Sequence, residues 1–262
     1  MNNIPIDPIL SCREALSFES NYFGGDLERE WEVMNRAGEA VGDSLLRDMR
    51  ELRTIPQRSR ILVLVGKGHN GGDALIAAKR FLKTIPTARA VVWPYCSWSE
   101  VRPLCKRAYD EMMELVGKRV KLIKDLKSFT DESEIESTFI RLSEEEFSVS
   151  VDGFLGMQAK LPLRKPLSNL VSLLNQSERI GVRVAVDIPT GVGEEPVDEE
   201  ALRADFTYAT GIAKSPIINE DNLQWIGRLR YLDLGFFNNL QDDISIQSKI
   251  GVVRSSALRN LR

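Results

Sequence analysis

The chain has 262 residues, 43% hydrophobic and 28% charged, enough apolar material for one large α/β domain and too much for a disordered chain. A net charge of −3 gives no basic footprint for a nucleic acid. No run of about eighteen apolar residues is available to span a membrane.

Met1 to Leu10 has neither a basic start nor a long apolar stretch, so it does not read as a signal peptide. The first strong pattern is Leu27–Leu52. There Trp31, Met34, Ala37, Ala40, Val41 and Leu45 recur near helical spacing, with Arg and Glu between them. A helix packed on one face of a sheet is expected. From Ile61 onward, short apolar runs alternate with helical ones. Strands are expected at Ile61–Val65, Ala90–Trp93, Val120–Ile123, Phe147–Val151, Val182–Asp187, Phe206–Ala209 and Leu229–Leu234. Helices are expected at Asp73–Leu82, Val101–Leu115, Glu134–Leu142 and Leu167–Gln176. Several strands are apolar throughout, as in sheets covered on both faces. The fold class that follows is α/β: a three-layer, Rossmann-like domain with a mostly parallel, doubly wound sheet and right-handed crossovers. The regular pattern stops near Phe237. Residues 1–237 are read as the domain and 238–262 as a C-terminal arm or linker. Cys12, Cys96 and Cys105 are odd in number and lack metal or redox spacing, so free thiols in a reducing cytosol are expected.

The chemistry concentrates at strand ends. Ile61–Val65 runs into Gly66-Lys67-Gly68-His69-Asn70-Gly71-Gly72-Asp73, and Asp73 is expected to open a helix. A strand, a glycine turn and a helix start together make an anion site, where free backbone N–H groups and the helix dipole meet a phosphate. The loop matches the dinucleotide fingerprint, but a dehydrogenase places an acid about 20 residues on to hold the ribose. No Asp or Glu occurs between Ala74 and Ser99, which disfavours that class. The Walker pattern also fails, because no Gly-Lys-Ser/Thr follows. His69 is the only histidine; it can act as an acid–base group, contact a ligand, or simply face water. Val151-Asp152-Gly153 and Val186-Asp187-Ile188-Pro189-Thr190-Gly191 put carboxylates at two further strand ends. Each Asp alone would be an ordinary turn or cap residue. Three such ends on one sheet, carrying Asn70, Asp73, Asp152 and Asp187, favour a ligand crevice.

These residues resemble the NAD(P)HX epimerase family, also called the YjeF N-terminal domain family. That family's G-x-G-N-N-G-G-D-G corresponds to Gly66–Ala74, its V-D-I-P-S-G to Val186–Gly191, and its D-A-L-F-G-T-G-L to Asp152–Ala159. Weaker echoes are Met34–Gly38 and Arg203–Thr207. The resemblance implies an isomerase of metabolite repair. Such an enzyme interconverts the epimers of NADHX and NADPHX, the hydrated forms of the reduced cofactors, while a partner dehydratase restores one epimer. It further implies a bound potassium ion, held by Asn70, Asp152 and Thr190, and a homodimer. Substrate would be held by His69, Asn70, Gly71, Gly72 and Asp73; by Gly156, Met157, Gln158, Ala159, Lys160, Leu161 and Pro162; and by Asp187, which is also the expected catalytic carboxylate.

The sequence departs from the family at several of these places. His69 replaces an Asn, Met157-Gln158 replace Thr-Gly, Ala74 replaces a Gly and Thr190 a Ser. A non-catalytic nucleotide-binding or scaffold domain of the same fold is therefore the alternative. Ile250–Arg262 weakly resembles the opening of the dehydratase half but is too short to form it, so no dehydratase activity is expected of these residues. An arm packed on this domain or on a partner is the other reading of that segment.

Overall fold

The computed structural model describes residues 6–195, 201–238 and the backbone of 251–253. In chain order the elements are β1 (Ile6–Leu10), α1 (Cys12–Phe23), α2 (Leu27–Leu52), β2 (Arg60–Val65), α3 (His69–Thr84), β3 (Arg89–Pro94), α4 (Pro103–Val116) and β4 (Val120–Leu122). They continue with α5 (Glu132–Ser143), β5 (Val149–Gly153), α6 (Leu167–Gln176), β6 (Val182–Val186), β7 (Phe206–Thr210), β8 (Ala213–Lys214), α7 (Leu223–Ile226), β9 (Arg228–Leu232) and β10 (Gly251–Val253).

Seven strands form one sheet in the order β4-β3-β2-β5-β6-β7-β9, with every pairing parallel. Helices cover both faces, as the apolar strands anticipate. All six residues of β2 are buried. Ile61, Val63 and Val65 point into a core with Met34 and Leu45 of α2, Leu75 and Phe81 of α3, and Leu104 and Met112 of α4. Leu62 and Leu64 point the other way, toward Ile135 and Phe139 of α5 and Leu170 and Leu174 of α6. This period-2 division is the ordinary consequence of strand geometry.

Helix α2 has the expected bounds. Asp26 caps it by accepting hydrogen bonds from the backbone N–H groups of Glu28 and Arg29, both at 3.1 Å. It lies mainly against α3 and also touches β6, β7 and β9. Near its C-terminal end Asp48 accepts hydrogen bonds from Tyr208 Oη at 2.9 Å and Arg230 Nε at 3.2 Å.

Besides α1 and α7, which the sequence reading did not anticipate, and shifted element ends such as those of β5, two features differ from it. Helix α3 starts at His69, four residues before Asp73. Gly71 and Gly72 oppose helix by propensity, but their missing side chains let α3 press against the β2 turn and Met34, and that packing decides. The second difference is a separate three-stranded sheet, β10-β1-β8. Here β1 runs antiparallel to β10 and parallel to β8, with Ile9 opposite Ala213 and Leu10 opposite Lys214. Of the C-terminal arm, residues 239–250 and 254–262 lie outside the described residues.

Candidate functional site

From β2 the chain winds outward through β3 and β4, then returns to place β5 on the other side of β2. The order of the sheet therefore reverses between β2 and β5. Outside the carboxyl ends of such strands two loops part and leave a crevice. Here those loops are Gly66–Gly68 and Phe154–Ala159, and a cavity of about 430 Å³ opens between them. Lys67, Gly68, His69, Asn70 and Asp73 line it from the β2–α3 side, and Phe154 to Ala159 from the β5 side. Asp187 and Lys214 also line it, as do Glu19 of α1 and Glu30 of α2.

The glycine loop holds its shape by backbone contact, not by left-handed dihedrals. None of its four glycines has a positive φ. Gly66 N–H donates to Gly153 O at 3.0 Å, and a Cβ on Gly66 would stand 1.8 Å from Phe154 O. A Cβ on Gly71 would stand 2.2 Å from Gly66 O. These glycines stitch the two loops together. Gly68, the residue before α3, is different: a Cβ there meets nothing within 4 Å, and no side chain caps the helix. The uncapped N–H groups of the first turn therefore lie at Gly68 to Asn70, beside Lys67 and Arg102, and Gly72 N–H already bonds to Gly68 O at 3.2 Å. Two substitutions separate these roles. Gly68→Asp is expected to weaken nucleotide binding at least about tenfold, by capping the helix and repelling phosphate, without lowering the melting temperature. Gly71→Val should instead lower folding yield and melting temperature, because its side chain meets backbone. Equal nucleotide affinity in Gly68→Asp and wild type, measured by titration, would remove the anion site.

Beneath the crevice, three expected residues meet. Asp152 Oδ2 accepts from Thr190 N–H at 2.7 Å, and Oδ1 accepts from Thr190 Oγ1 at 2.8 Å and Phe154 N–H at 3.1 Å. Thr190 Oγ1 accepts from Leu155 N–H at 3.1 Å. Asn70 Nδ2 donates to Leu155 O at 2.6 Å and Val186 O at 2.9 Å, and its Oδ1 has no hydrogen bond among the described residues. The result is one network in which Asn70, Asp152 and Thr190 are joined through the Leu155 backbone and the three neighbouring strand ends. Asp152 is 1% exposed and enters no ion pair among the described residues. Its burial raises the carboxyl to about 6, against the pull of its hydrogen bonds from Thr190 and Phe154.

At the end of β6 stands Asp187, with φ of 65°, the one described non-glycine residue in the left-handed region. Its carboxylate is 2.6 Å from the Nζ of Lys214. Both are buried. Burial works against the Lys214 ammonium, but Asp187 and Glu19 hold its pKa above the ordinary lysine value. Asp73, one turn into α3, has a buried Oδ1 with no hydrogen-bond partner among the described residues. Burial and then the Asp187 charge raise its pKa well above the ordinary value, with Lys214 opposing. His69 Nε2 lies 3.0 Å from Glu30 Oε1. Burial lowers its pKa, Glu30 opposes this and Arg102 adds to it. Across the mouth, Arg102 Nη2 donates to Gln158 Oε1 at 2.8 Å.

Of the expected substrate contacts, His69, Asn70, Asp73, Gly156, Met157, Gln158, Ala159 and Asp187 line the cavity. Gly71 and Gly72 lie behind it, packed on Gly66 and Met34. Lys160, Leu161 and Pro162 are exposed beyond it. Four charged lining groups escaped sequence reading: Glu19, Glu30, Lys214 and Arg102. A signal for α1 was present, since Ser11-Cys12-Arg13-Glu14 forms a capping box. Lys214 sits in an apolar stretch, Gly211-Ile212-Ala213, as an isolated buried cation. Only its partner on another strand end explains it.

The chain resembles known proteins over most of its length. An NAD(P)H-hydrate epimerase from Roseobacter litoralis is 26% identical over 239 residues, which cover 87% of this chain and 98% of that protein. A protein named as a bifunctional NAD(P)H-hydrate repair enzyme, from Gloeobacter violaceus, is 29% identical over 202 residues, covering 76% of this chain and 34% of that one. The chain thus spans about a third of the length of such bifunctional relatives. Among solved structures, that of yeast ynu0, YNL200c, superposes with a TM-score of 0.61 at 21% identity, covering 77% of this chain and 79% of the other; this likeness speaks for the fold. The model of the YjeF-related protein N-terminus matches residues 30–215, from the start of α2 past Lys214, and the chain belongs to that family.

Proposed function

We propose that this chain is an NAD(P)H-hydrate epimerase, an isomerase interconverting the R and S epimers of hydrated NADH and NADPH. The observation that carries the reading is the buried Asp187–Lys214 pair at the wall of a cavity whose two ends differ in charge. At one end lie the α3 N-terminus, Lys67 and Arg102, which suit a pyrophosphate. At the other lie Asp73, Asp187 and Glu19 around one lysine, which suit a ring that becomes cationic. The epimerised carbon carries a hydroxyl next to the ring nitrogen. Loss of that hydroxyl leaves a cation, and return of water to the other face inverts the centre. Asp187 accepts the hydroxyl's hydrogen bond and stabilises the cation; Lys214, 2.6 Å away, holds the carboxylate in place. The names of the relatives support this substrate class. The test is whether purified NADHX epimers equilibrate faster with the protein than without it.

Asn70, Asp152 and Thr190 would hold a potassium ion. An amide oxygen, a hydroxyl and a buried carboxylate that has no cationic partner among the described residues are donors of the kind a hard cation takes. The ion would offset that charge and steady the two loops. Melting in potassium chloride is expected about 5 °C or more above melting in a bulky organic cation salt of equal ionic strength. Asp152→Asn should abolish the difference; a difference that persists in this variant would place the ion elsewhere.

The partners of this reading are the nucleotide, a second copy of the chain, and a dehydratase acting on the same cofactor, as a separate protein or a fused domain. The bifunctional relatives support the last. The setting is cytoplasmic. Among the described residues no helix is long and apolar enough to cross a membrane. One observation favours the non-catalytic alternative: the Arg102–Gln158 bond spans the cavity mouth. That reading keeps nucleotide binding and loses epimer exchange, so the same assay separates the two.

A further inference from the structure

We propose that Glu19 is a second acid–base group of the epimerisation, delivered by α1 to the face of the ring opposite the one that Asp187 meets from the sheet. The proposal rests on the activity proposed above and on geometry which that reading leaves unused. β1 pairs with β8 so that Leu10 stands opposite Lys214. Ser11 then caps α1, and two turns further on Glu19 reaches the cavity wall. The helix is pinned there by aromatic contacts: Phe18 meets Phe236 and Phe237, and Tyr22 meets Phe236 with ring centroids 4.9 Å apart. Glu19 lies before residue 30, outside the stretch matched by the family model.

Epimerisation needs departure from one face of the ring and return to the other. A single carboxylate fixed by Lys214 at the end of β6 serves one face. Glu19 comes from a different element, and it accepts no hydrogen bond and forms no ion pair among the described residues, so its carboxyl is available. The groups facing it are Lys214 and Asp187 at the sheet edge, Glu30 on α2 and Asp73 on α3. Burial raises its carboxyl to about 7; Lys214 opposes this, while Asp187 and Glu30 add to it. Near neutral pH it therefore carries a proton for part of the time, whereas Asp187 is held in an ion pair. In the forward step the C–O bond breaks with its electron pair on oxygen. The Glu19 proton joins that oxygen and water departs, while the ring nitrogen lone pair forms the C=N bond. In the return step a water oxygen bonds the same carbon from the other face and gives a proton to Asp187. Asp187 then releases its proton to solvent and Glu19 takes one up from it, which restores both groups, and nothing is oxidised or reduced.

The full chain is compared with its Glu19→Gln and Glu19→Asp variants. Gln is expected to slow epimer exchange about a hundredfold or more and to remove the fall in rate above a pH of about 7. NADPH affinity should stay within about twofold, since only a proton donor is lost. Asp should recover part of the rate and the alkaline fall. In the wild type, a carbon-13 resonance titration of the Glu19 carboxyl should have its midpoint about 7. A midpoint at the ordinary glutamate value overturns the proposal without recourse to activity or to any variant. So does a Gln variant exchanging epimers at the wild-type rate, or one losing NADPH affinity in parallel with rate. If the wild type itself exchanges no epimers, the epimerase reading fails, and this proposal with it. An active wild type with an equally active Gln variant removes Glu19 alone.

Discussion

Asp187→Asn is expected to slow epimer exchange at least about a hundredfold, the usual contribution of a positioned acid–base group, while the protein stays folded. Asn is the appropriate replacement for two reasons. Asp187 has φ of 65°, a region that Asn tolerates and that costs most other residues roughly 1–2 kcal/mol. Asn also keeps the shape of the side chain and an oxygen for Lys214 Nζ, now 2.6 Å from the carboxylate. What it loses is the charge that accepts a proton and faces a cationic ring. The measurement is the exchange rate of purified epimers at saturating substrate, with the melting curve recorded alongside. An Asn variant as fast as the wild type would move the reaction to another group.

Lys214→Met is expected to be the most destabilising single change at the site. Lys214 and Asp187 are 1% and 5% exposed, so removing the ammonium leaves a buried carboxylate uncompensated. Breaking a buried pair in this way costs about 3–5 kcal/mol, or a melting temperature lower by on the order of 10 °C for a chain of this size. The double variant, Asp187→Asn with Lys214→Met, should regain most of that loss while remaining inactive, because the two changes act on one contact. Thermal melts of the four proteins test this, and equal stability of Lys214→Met and wild type would show the pair to be uncoupled. The pair is not a neutral-range switch. The folded pKa of Lys214 lies above its unfolded value, so its contribution is fully present below the unfolded lysine range and is lost as pH rises through the higher folded value.

Local pattern was enough for the layers of the fold. Strands β2, β3, β6 and β7 and helices α2 and α6 are legible because covered parallel strands are continuously apolar and amphipathic helices repeat with their own period. The strand ends bearing Asn70, Asp152, Asp187 and Thr190 were legible for the same reason: a loop after a parallel strand has one place to go, the carboxyl edge of the sheet. Less legible was α3. Gly71-Gly72 argues against helix in any short window, and only the approach to Gly66 and Met34 makes those residues helical.

What the amino-acid order determined by itself, then, is the alternation of strands and helices, a glycine turn leading from a strand into a helix, and the carboxylates at neighbouring strand ends. Each of these depends on residues within one element and its turn. Tertiary structure alone decided that Lys214 neutralises Asp187, that Glu19 enters the cavity, and that Arg102 reaches Gln158 across its mouth. These partners are separated by 27 residues for Lys214 and Asp187 and by 56 for Arg102 and Gln158. β1 is a five-residue strand at the chain's beginning with little apolar pattern, and its pairing with β8 places α1 over the site. A charged side chain reads as solvated surface in any local window, and it becomes a buried partner only when a distant strand pairing brings its counter-charge within hydrogen-bond reach.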